Sequence, residues 1–223
     1  MLTKQIKTLL TPPQVTVPDL LNVGAQFGQA NKAWNPSARS YIYGKQGGIH
    51  LIDLEKTVSL FNQALRIIHN VVLNKGRILL ICSKLDKSFD PVVTNLLTVW
   101  PEFYVKRKWL SGTITNWNSI FPVLANLDDS KDLEVRKLAR LDRFYGGMKG
   151  MKAIPDLLIV LDANKNQSAI LEANKMDIPV VSLVDTDSDT SLITYPIPGN
   201  SNSAQTLEFY CKLILQAVNS AKR

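Results

Sequence analysis

The chain has 223 residues, of which 45% are hydrophobic and 20% are charged, and its formal net charge at pH 7 is +7. This composition can fill the core of one large or two small domains, and no apolar run reaches the ~20 residues that a membrane-spanning helix needs. The excess of cations favours a polyanionic partner. Cys82 and Cys211 lie far apart in apolar contexts, so we expect two buried thiols in a reducing compartment and no disulfide framework.

Residues 1–19 are predicted to form a basic tail, and residues 20–223 a single domain. Lys4 and Lys7 stand among Leu and Ile, and no acid precedes Asp19. The tail has a faint likeness to a mitochondrial targeting segment, but it is short and contains no arginine. We therefore interpret it as a basic extension or a short helix.

The stretch from Gly24 to Gly48 reads as one long loop in which aromatic and cationic residues alternate. These residues are Phe27, Lys32, Trp34, Arg39, Tyr41, Tyr43 and Lys45. Rings can stack on bases and cations can pair with phosphates, so a nucleic-acid surface is one interpretation. Core aromatics with a solvated basic rim are the other, and composition alone favours nucleic acid only modestly.

The following chain alternates predicted strands and helices. Strands are predicted at Ile49–Ile52, Arg77–Ser83, Glu102–Val105, Leu157–Leu161, Ile178–Val184 and Ile193–Ile197. Helices are predicted after Asp53, over Ser88–Val99, through Glu172–Lys175 and after a cap at Ser201 or Ser203. This alternation predicts an α/β fold with a doubly wound, mainly parallel sheet and helices on both faces. The charged stretch Phe121–Phe144 interrupts it and predicts two short helices in an insertion of about residues 118–146.

A second group of cations follows the predicted strand Glu102–Val105. Lys106, Arg107 and Lys108 precede Trp109 there, and Lys149 and Lys152 follow the insertion. For Trp34, Trp109 and Trp117 a core position and a nucleic-acid contact are about equally supported. Solvated cations without a partner are the less favoured interpretation.

No pattern of catalytic or cofactor-binding residues is recognisable. A phosphate loop and a dinucleotide-binding glycine motif are absent, and Gly44–Gly48 precedes a strand instead of joining strand to helix. Asp185, Asp187 and Asp189 begin like a calcium loop, but Thr190 and Pro196 stand where that loop needs Gly and Glu. We predict no catalysis, no cofactor and no metal, with incidental metal binding at the aspartates left open. A nucleotide- or phosphosugar-binding α/β enzyme that uses Gly44–Gly48 is the alternative.

Many short motifs occur in one consistent order along the chain. They include Phe27–Gly28, Trp34–Asn35–Pro36, Trp109–Leu110, Thr115–Asn116–Trp117, Gly146–Gly147–Met148–Lys149, Glu172–Ala173–Asn174 and Ile197–Pro198–Gly199–Asn200. In these motifs the chain resembles the bacterial-type family of small-subunit ribosomal protein two, from about Leu20 to the C-terminal helix. Each match is weak alone, but so many in register are highly specific.

The resemblance implies a flavodoxin-like sheet with an inserted helical coiled coil, and a structural role without catalysis. It implies binding to small-subunit rRNA at the junction of head and body, contact with neighbouring ribosomal proteins, an indirect link to the mRNA path, and no membrane. We assign the RNA contacts to cations, to two asparagines and to two tryptophans that can stack or can shape the loops. These residues are Lys32, Trp34, Asn35, Arg39, Lys45, Arg107, Lys108, Trp109, Asn116, Lys149 and Lys152.

The chain departs from the family pattern at several positions. The family usually has histidines on both sides of Phe27–Gly28, where this chain has Gln26 and Gln29. The coiled-coil insertion is shortened between Trp117 and Gly146. Such divergence is typical of an organelle ribosome, and by analogy we favour the mitochondrion over the plastid or the bacterial cytoplasm.

Overall fold

A computed structural model describes residues 11–83, 89–125 and 141–222. Residues 1–10 of the predicted tail, Ser88 and residues 126–140 of the predicted insertion lie outside this range. Among the described residues no helix has both the length and the apolar character to cross a membrane.

The strands and helices of the described residues are numbered here in chain order. The strands are β1 (Phe27–Ala30), β2 (Ile42–Gln46), β3 (Ile49–Ile52), β4 (Ile78–Ile81), β5 (Phe103–Val105), β6 (Leu157–Val160), β7 (Val180–Val184) and β8 (Tyr195–Pro198). The α-helices are α1 (Val17–Asn22), α2 (Leu54–Leu73), α3 (Asp90–Val99), α4 (Trp117–Ala125), α5 (Gln167–Lys175) and α6 (Ala204–Ala221). Short 3₁₀ helices lie at Pro36–Tyr41, Gly146–Met148 and Asn164–Asn166.

Five strands form one parallel sheet in the order β5-β4-β6-β7-β8. Counted from β4, this is the order 2-1-3-4-5 of flavodoxin-like folds. All residues of β4, β6 and β7 are buried, as expected for parallel strands covered on both faces. The predicted fold class is therefore confirmed. Such folds place their sites at the edge of the sheet where the strands have their carboxyl ends.

Helices cover both faces of this sheet, because successive side chains of a strand point to opposite sides. Ile78 and Leu80 of β4 belong to one apolar cluster, which includes side chains of α2, α3 and α6. Leu79 and Ile81 belong to the second, which includes side chains of α5 and of the Gly146–Met148 turn. The side chain of Asp53 caps α2, as predicted, and accepts from the backbone N–H of Glu55.

The segment Gly24–Gly48 is not a loop, which corrects the prediction. β1, β3 and β2 form a separate antiparallel sheet in that order, so Ile49–Ile52 belongs to this sheet and not to the parallel one. The chain reverses direction between β2 and β3 at Gly47 and Gly48, whose φ values are 58° and 84°. Gln46 pairs with Ile49, so these two glycines form a two-residue hairpin turn that needs positive φ at both positions.

The insertion begins with α4, which includes Pro122. This helix starts at Trp117, four residues before the predicted helical stretch, which starts at Phe121. Leu124 is buried, and Trp117 and Ile120 pack against the second cluster. Residues 141–145 are also helical. The described ends of the insertion therefore lie against the body of the protein.

Candidate nucleic-acid interface

The predicted contact residues lie mainly in two segments at the carboxyl edge of the parallel sheet. We call residues 24–52 the arm and residues 106–116 the edge loop. The edge loop follows β5 directly, and the arm makes hydrogen bonds to residues 185–190, which follow β7. β5 and β7 are three inter-strand steps of about 4.8 Å apart, so the distance between these two strands is roughly 14 Å.

The buried carboxylate of Asp185 joins the arm to the sheet. Asp185 is 3% exposed, and its carboxylate accepts from the amide Nε2 of Gln29 at 2.9 Å. Ser201 donates to the same carboxylate through its backbone N–H at 3.1 Å and its hydroxyl at 3.0 Å. The backbone N–H of Thr186 donates to the other oxygen at 2.7 Å. A buried carboxylate needs such donors, and Gln29 provides one.

Further hydrogen bonds join the arm to the residues after Asp185. Gln29 N donates to Thr186 Oγ1 at 2.9 Å, and Asn35 N donates to the Thr186 carbonyl at 2.8 Å. Ser37 Oγ donates to the Ser188 carbonyl at 3.3 Å and accepts from Thr190 N at 3.1 Å. The arm is thus fixed along most of its length.

Gly28 allows this close approach. A Cβ at that position would lie 2.6 Å from Thr186 Cγ2, so any side chain there would displace the arm. Gln26 of the arm has a buried Oε1 without a hydrogen-bond partner among the described residues.

The arm presents its predicted cations to solvent. Lys32, Arg39 and Lys45 are exposed. Trp34 is 36% exposed and lies with its ring centroid 5.8 Å from that of His50. The side-chain oxygen of Asn35 has an internal role, since it accepts from Ser37 N at 2.9 Å and caps the 3₁₀ helix Pro36–Tyr41.

A second buried carboxylate, Glu172 on α5, fixes the edge loop. Its Oε1 accepts from Trp109 Nε1 at 2.9 Å and from Gly112 N at 2.7 Å. Its Oε2 accepts from Ile114 N at 3.0 Å and from Thr115 N at 3.3 Å. One side chain therefore satisfies three backbone N–H groups and an indole N–H.

Of the two roles that the sequence left open for Trp109, stacking on RNA and shaping the loop, its position supports the second. Trp109 is 4% exposed and packs in the second cluster, with its indole N–H directed to Glu172. Its role is to shape the loop. Arg107, Lys108 and Asn116 of the edge loop are exposed.

The remaining predicted cations lie beyond the edge loop. Lys149 borders a groove together with Arg107, and its Nζ lies 3.1 Å from Asp142 Oδ1. Lys152 is exposed, but it does not line that groove. The structure therefore brings Arg107 and Lys149 together and leaves the arm cations as a separate group.

The aspartates after β7 make hydrogen bonds within the protein. Burial raises the pKa of Asp187, and the charge of Asp185 adds to this effect. Hydrogen bonding to Ser191 lowers the pKa of Asp189, whose Oδ1 accepts from Ser191 N at 3.0 Å. In the described parts of the chain no three His, Cys, Asp or Glu side chains are arranged to hold a metal ion.

The two thiols are also internal. Cys82 and Cys211 are both free and buried. Burial raises the pKa of Cys82, and it raises the pKa of Cys211 to about 12. Both side chains belong to the first apolar cluster, as expected for small core residues.

Sequence reasoning missed Glu172 and Asp185 as organisers of these segments. Each is a single acid that lies far along the chain from the residues that it binds. A signal for Glu172 is its place on α5 beside the buried residues Ala169, Ile170 and Ala173, since a charge on an apolar helix face needs a partner.

Comparison with known proteins agrees with this architecture. The family model described as Ribosomal protein S2 matches residues 20–221. A small ribosomal subunit protein uS2 of Caulobacter vibrioides (strain NA1000 / CB15N) is 39% identical over 221 residues, which cover 92% of this chain and 82% of the relative. The uS2 proteins of Ehrlichia ruminantium (strain Gardel) and of Wolbachia sp. subsp. Drosophila simulans (strain wRi) are each 37% identical, over 95% and 92% of this chain and 78% of each relative. The chain therefore belongs to the ribosomal protein S2 family.

Proposed function

We propose that this protein is a structural constituent of the small ribosomal subunit that binds its rRNA. The observation that carries the proposal is the match to small-subunit uS2 proteins over more than nine-tenths of the chain. The ribosomal protein S2 family is not an enzyme family, and we propose that this member has no catalytic activity. By the resemblance, its site is the junction of head and body, beside other ribosomal proteins and near the mRNA path.

The proposed mechanism is a preformed basic surface. Cations of the arm (Lys32, Arg39 and Lys45) and of the edge loop (Arg107 and Lys108) would neutralise rRNA phosphates, with Lys149 and Lys152 beyond them. The buried carboxylates Asp185 and Glu172 support this proposal, because they fix both segments before any partner binds. A surface ordered in advance loses less conformational entropy on binding.

The asparagines would add hydrogen bonds to this surface. Asn116 is exposed and can reach the RNA backbone or a base edge with both its amide oxygen and its amide nitrogen. The oxygen of Asn35 already accepts from Ser37 N, so Asn35 would contact RNA through its amide nitrogen. Trp34, whose ring lies beside that of His50, is the tryptophan that remains for stacking.

We propose the mitochondrial ribosome as the location, with plastid or bacterial cytoplasm as alternatives. The replacement of two family histidines by Gln26 and Gln29 and the short insertion support an organelle. The bacterial relatives support a ribosomal location and are compatible with the bacterial alternative. Expression of the tagged full chain and fractionation of its host cell would distinguish these compartments.

The test of the function is co-migration of the tagged protein with the small subunit and its rRNA in a sucrose gradient. The variant Arg107→Ala with Lys108→Ala should lose this association and stay folded, because both side chains are exposed. Binding should also become less salt-dependent, by about 0.7–0.9 in the log–log slope for each phosphate that is no longer neutralised.

The matched control is Arg66→Ala with Lys212→Ala, which removes two exposed cations from α2 and α6. This control changes the net charge equally and should still co-migrate with the subunit. Unchanged co-migration of the edge-loop variant would contradict the assigned surface, and failure of the wild-type chain to co-migrate would contradict the function.

A further inference from the structure

A groove with a volume of ≈ 380 Å³ lies between the end of β5 and residues 142–149. Its two walls come from parts of the chain that are separated by the insertion. Four cations and two aromatic rings line it: Lys106, Arg107, Arg143, Lys149, Tyr104 and Phe144.

The lining carries a net charge of +3, since four cations stand against Asp142, the one acid among the described lining residues. Lys106 is partly compensated, because its Nζ lies 2.9 Å from Thr94 Oγ1 and 3.9 Å from Asp90 Oδ1. Lys149 pairs with Asp142 at 3.1 Å.

The two arginines of the groove differ from its lysines. Arg107 and Arg143 are exposed, and neither guanidinium makes a hydrogen bond or an ion pair with a described residue. A guanidinium offers a planar fork of donors that matches a phosphate. The groove therefore holds two guanidinium groups that are ready for an anion.

Gly147 fixes the spacing of the two walls. A Cβ at that position would lie 2.6 Å from Tyr104 Cδ2 and would also overlap the Tyr104 carbonyl oxygen. Only glycine lets the Gly146–Met148 turn lie directly against β5. The groove is thus part of the folded body.

Its lining favours one class of ligand. The volume falls at the lower end of the ~300–1,000 Å³ of small-ligand sites, and half-buried rings of Tyr104 and Phe144 stand beside the cations. A duplex keeps its bases stacked inside and offers only backbone to such a groove. An unpaired nucleotide offers both a phosphate for guanidinium groups and a base for aromatic side chains.

We propose that this groove holds one unstacked nucleotide of a single-stranded RNA segment, with its phosphates on Arg107 and Arg143 and its base against Phe144. The proposal rests on the proposed ribosomal function and names the form of RNA that this part of the surface takes. A free mononucleotide shares this chemistry, so the experiment must separate the two sources.

The experiment measures fluorescence anisotropy of a labelled 12-nucleotide RNA with the full chain. The RNA is used free and annealed to its complement, and adenosine monophosphate is tested as a competitor. We expect the single strand to bind more tightly than the duplex, and millimolar mononucleotide not to displace it.

Arg143→Ala should weaken single-strand binding about tenfold, the usual effect of losing a charge-assisted hydrogen bond, and lower the salt slope by about 0.7. Phe144→Leu keeps an apolar side chain but removes the ring, and should weaken single-strand binding about tenfold with little effect on the duplex. Arg66→Ala, on α2, is the matched control and should bind like the wild type.

Wild-type affinity in both Arg143→Ala and Phe144→Leu would overturn the proposal. Equal weakening of strand and duplex binding would reduce the groove to a site for the RNA backbone and would also overturn it. Displacement by micromolar mononucleotide would assign the groove to a free nucleotide instead. If the binding measurements overturn the groove proposal while the wild-type chain still co-migrates with the small subunit, the proposed ribosomal function is unaffected.

Discussion

Replacement of Glu172 by alanine should destabilise the protein severely, because one carboxylate satisfies four donors. Two of these donors, Trp109 Nε1 and Ile114 N, are buried, at 2.9 and 3.0 Å from Glu172 oxygens. A buried donor left without a partner costs about 1–3 kcal/mol. The two together therefore predict a loss of about 2–6 kcal/mol, against the roughly 5–15 kcal/mol of a typical domain.

Urea unfolding followed by tryptophan fluorescence and far-ultraviolet circular dichroism measures this loss. Glu172→Gln should lie between wild type and Glu172→Ala, since glutamine keeps one acceptor but turns an N–H₂ group towards two of the donors. The edge loop should also lose its order first, which a Trp109-sensitive fluorescence change before global unfolding would report.

Glu208→Ala removes an exposed carboxylate from α6 and is the matched control, with an expected change within about 0.5 kcal/mol. A Glu172→Ala midpoint equal to that of Glu208→Ala would refute the reasoning. It would mean that the loop donors find water or other acceptors when the carboxylate is absent.

Two further predictions concern titratable groups. Burial raises the pKa of Asp187 above its ordinary 3.8, so the folded state holds this proton more tightly, and the stability that the group contributes at low pH is lost as the pH rises through the folded-state pKa. Asp187→Asn should therefore raise the thermal midpoint at pH 7 but not at pH 3; an equal shift at both values would contradict this assignment. Cys82 and Cys211 are buried with raised thiol pKa values, so a disulfide reagent at pH 8 should modify them only in urea. Rapid modification of the native protein would show that one thiol is accessible.

The parallel sheet could be predicted because its residues carry the signal locally. Apart from Ser182, β4, β6 and β7 consist of apolar residues, a pattern typical of strands buried on both faces. The helix faces of α2 and α6 follow from their spacing in the same way. The order of the strands follows only from the family resemblance, since periodicity does not specify which strands are neighbours.

The arm could not be predicted as a sheet from its hydrophobic pattern. β1 and β2 are short, and their sequences, FGQA and IYGKQ, do not alternate apolar with polar residues as a half-buried strand does. The signal that is present is the pair Gly47–Gly48, which is typical of a two-residue hairpin when strands flank it. Because no strand is recognisable before the pair and only Ile49–Ile52 is predicted after it, the pair alone indicates only a flexible or RNA-facing turn.

The candidate site was predictable in charge but not in geometry. Lysines such as Lys45 and Lys108 are expected at the surface in any fold, because burying an unpaired charge is costly. Trp109 is different, because its burial depends on Glu172, 63 residues later in the chain. The role of Gln29 likewise depends on Asp185, and pairs of this kind leave no periodic trace in one sequence.

The hydrogen bonds that fix the arm have a consequence for the order of folding. Gln29 and Asp185 are separated by 156 residues, and Asn200 Nδ2 donates to the Gly24 carbonyl across 176. Contacts of such long range form late, because much of the chain must already be arranged. During synthesis the arm leaves the ribosome early but cannot dock until the last quarter of the chain has followed. Its proposed RNA-binding surface is therefore complete only when almost the whole chain has been made, so a truncated product would lack it.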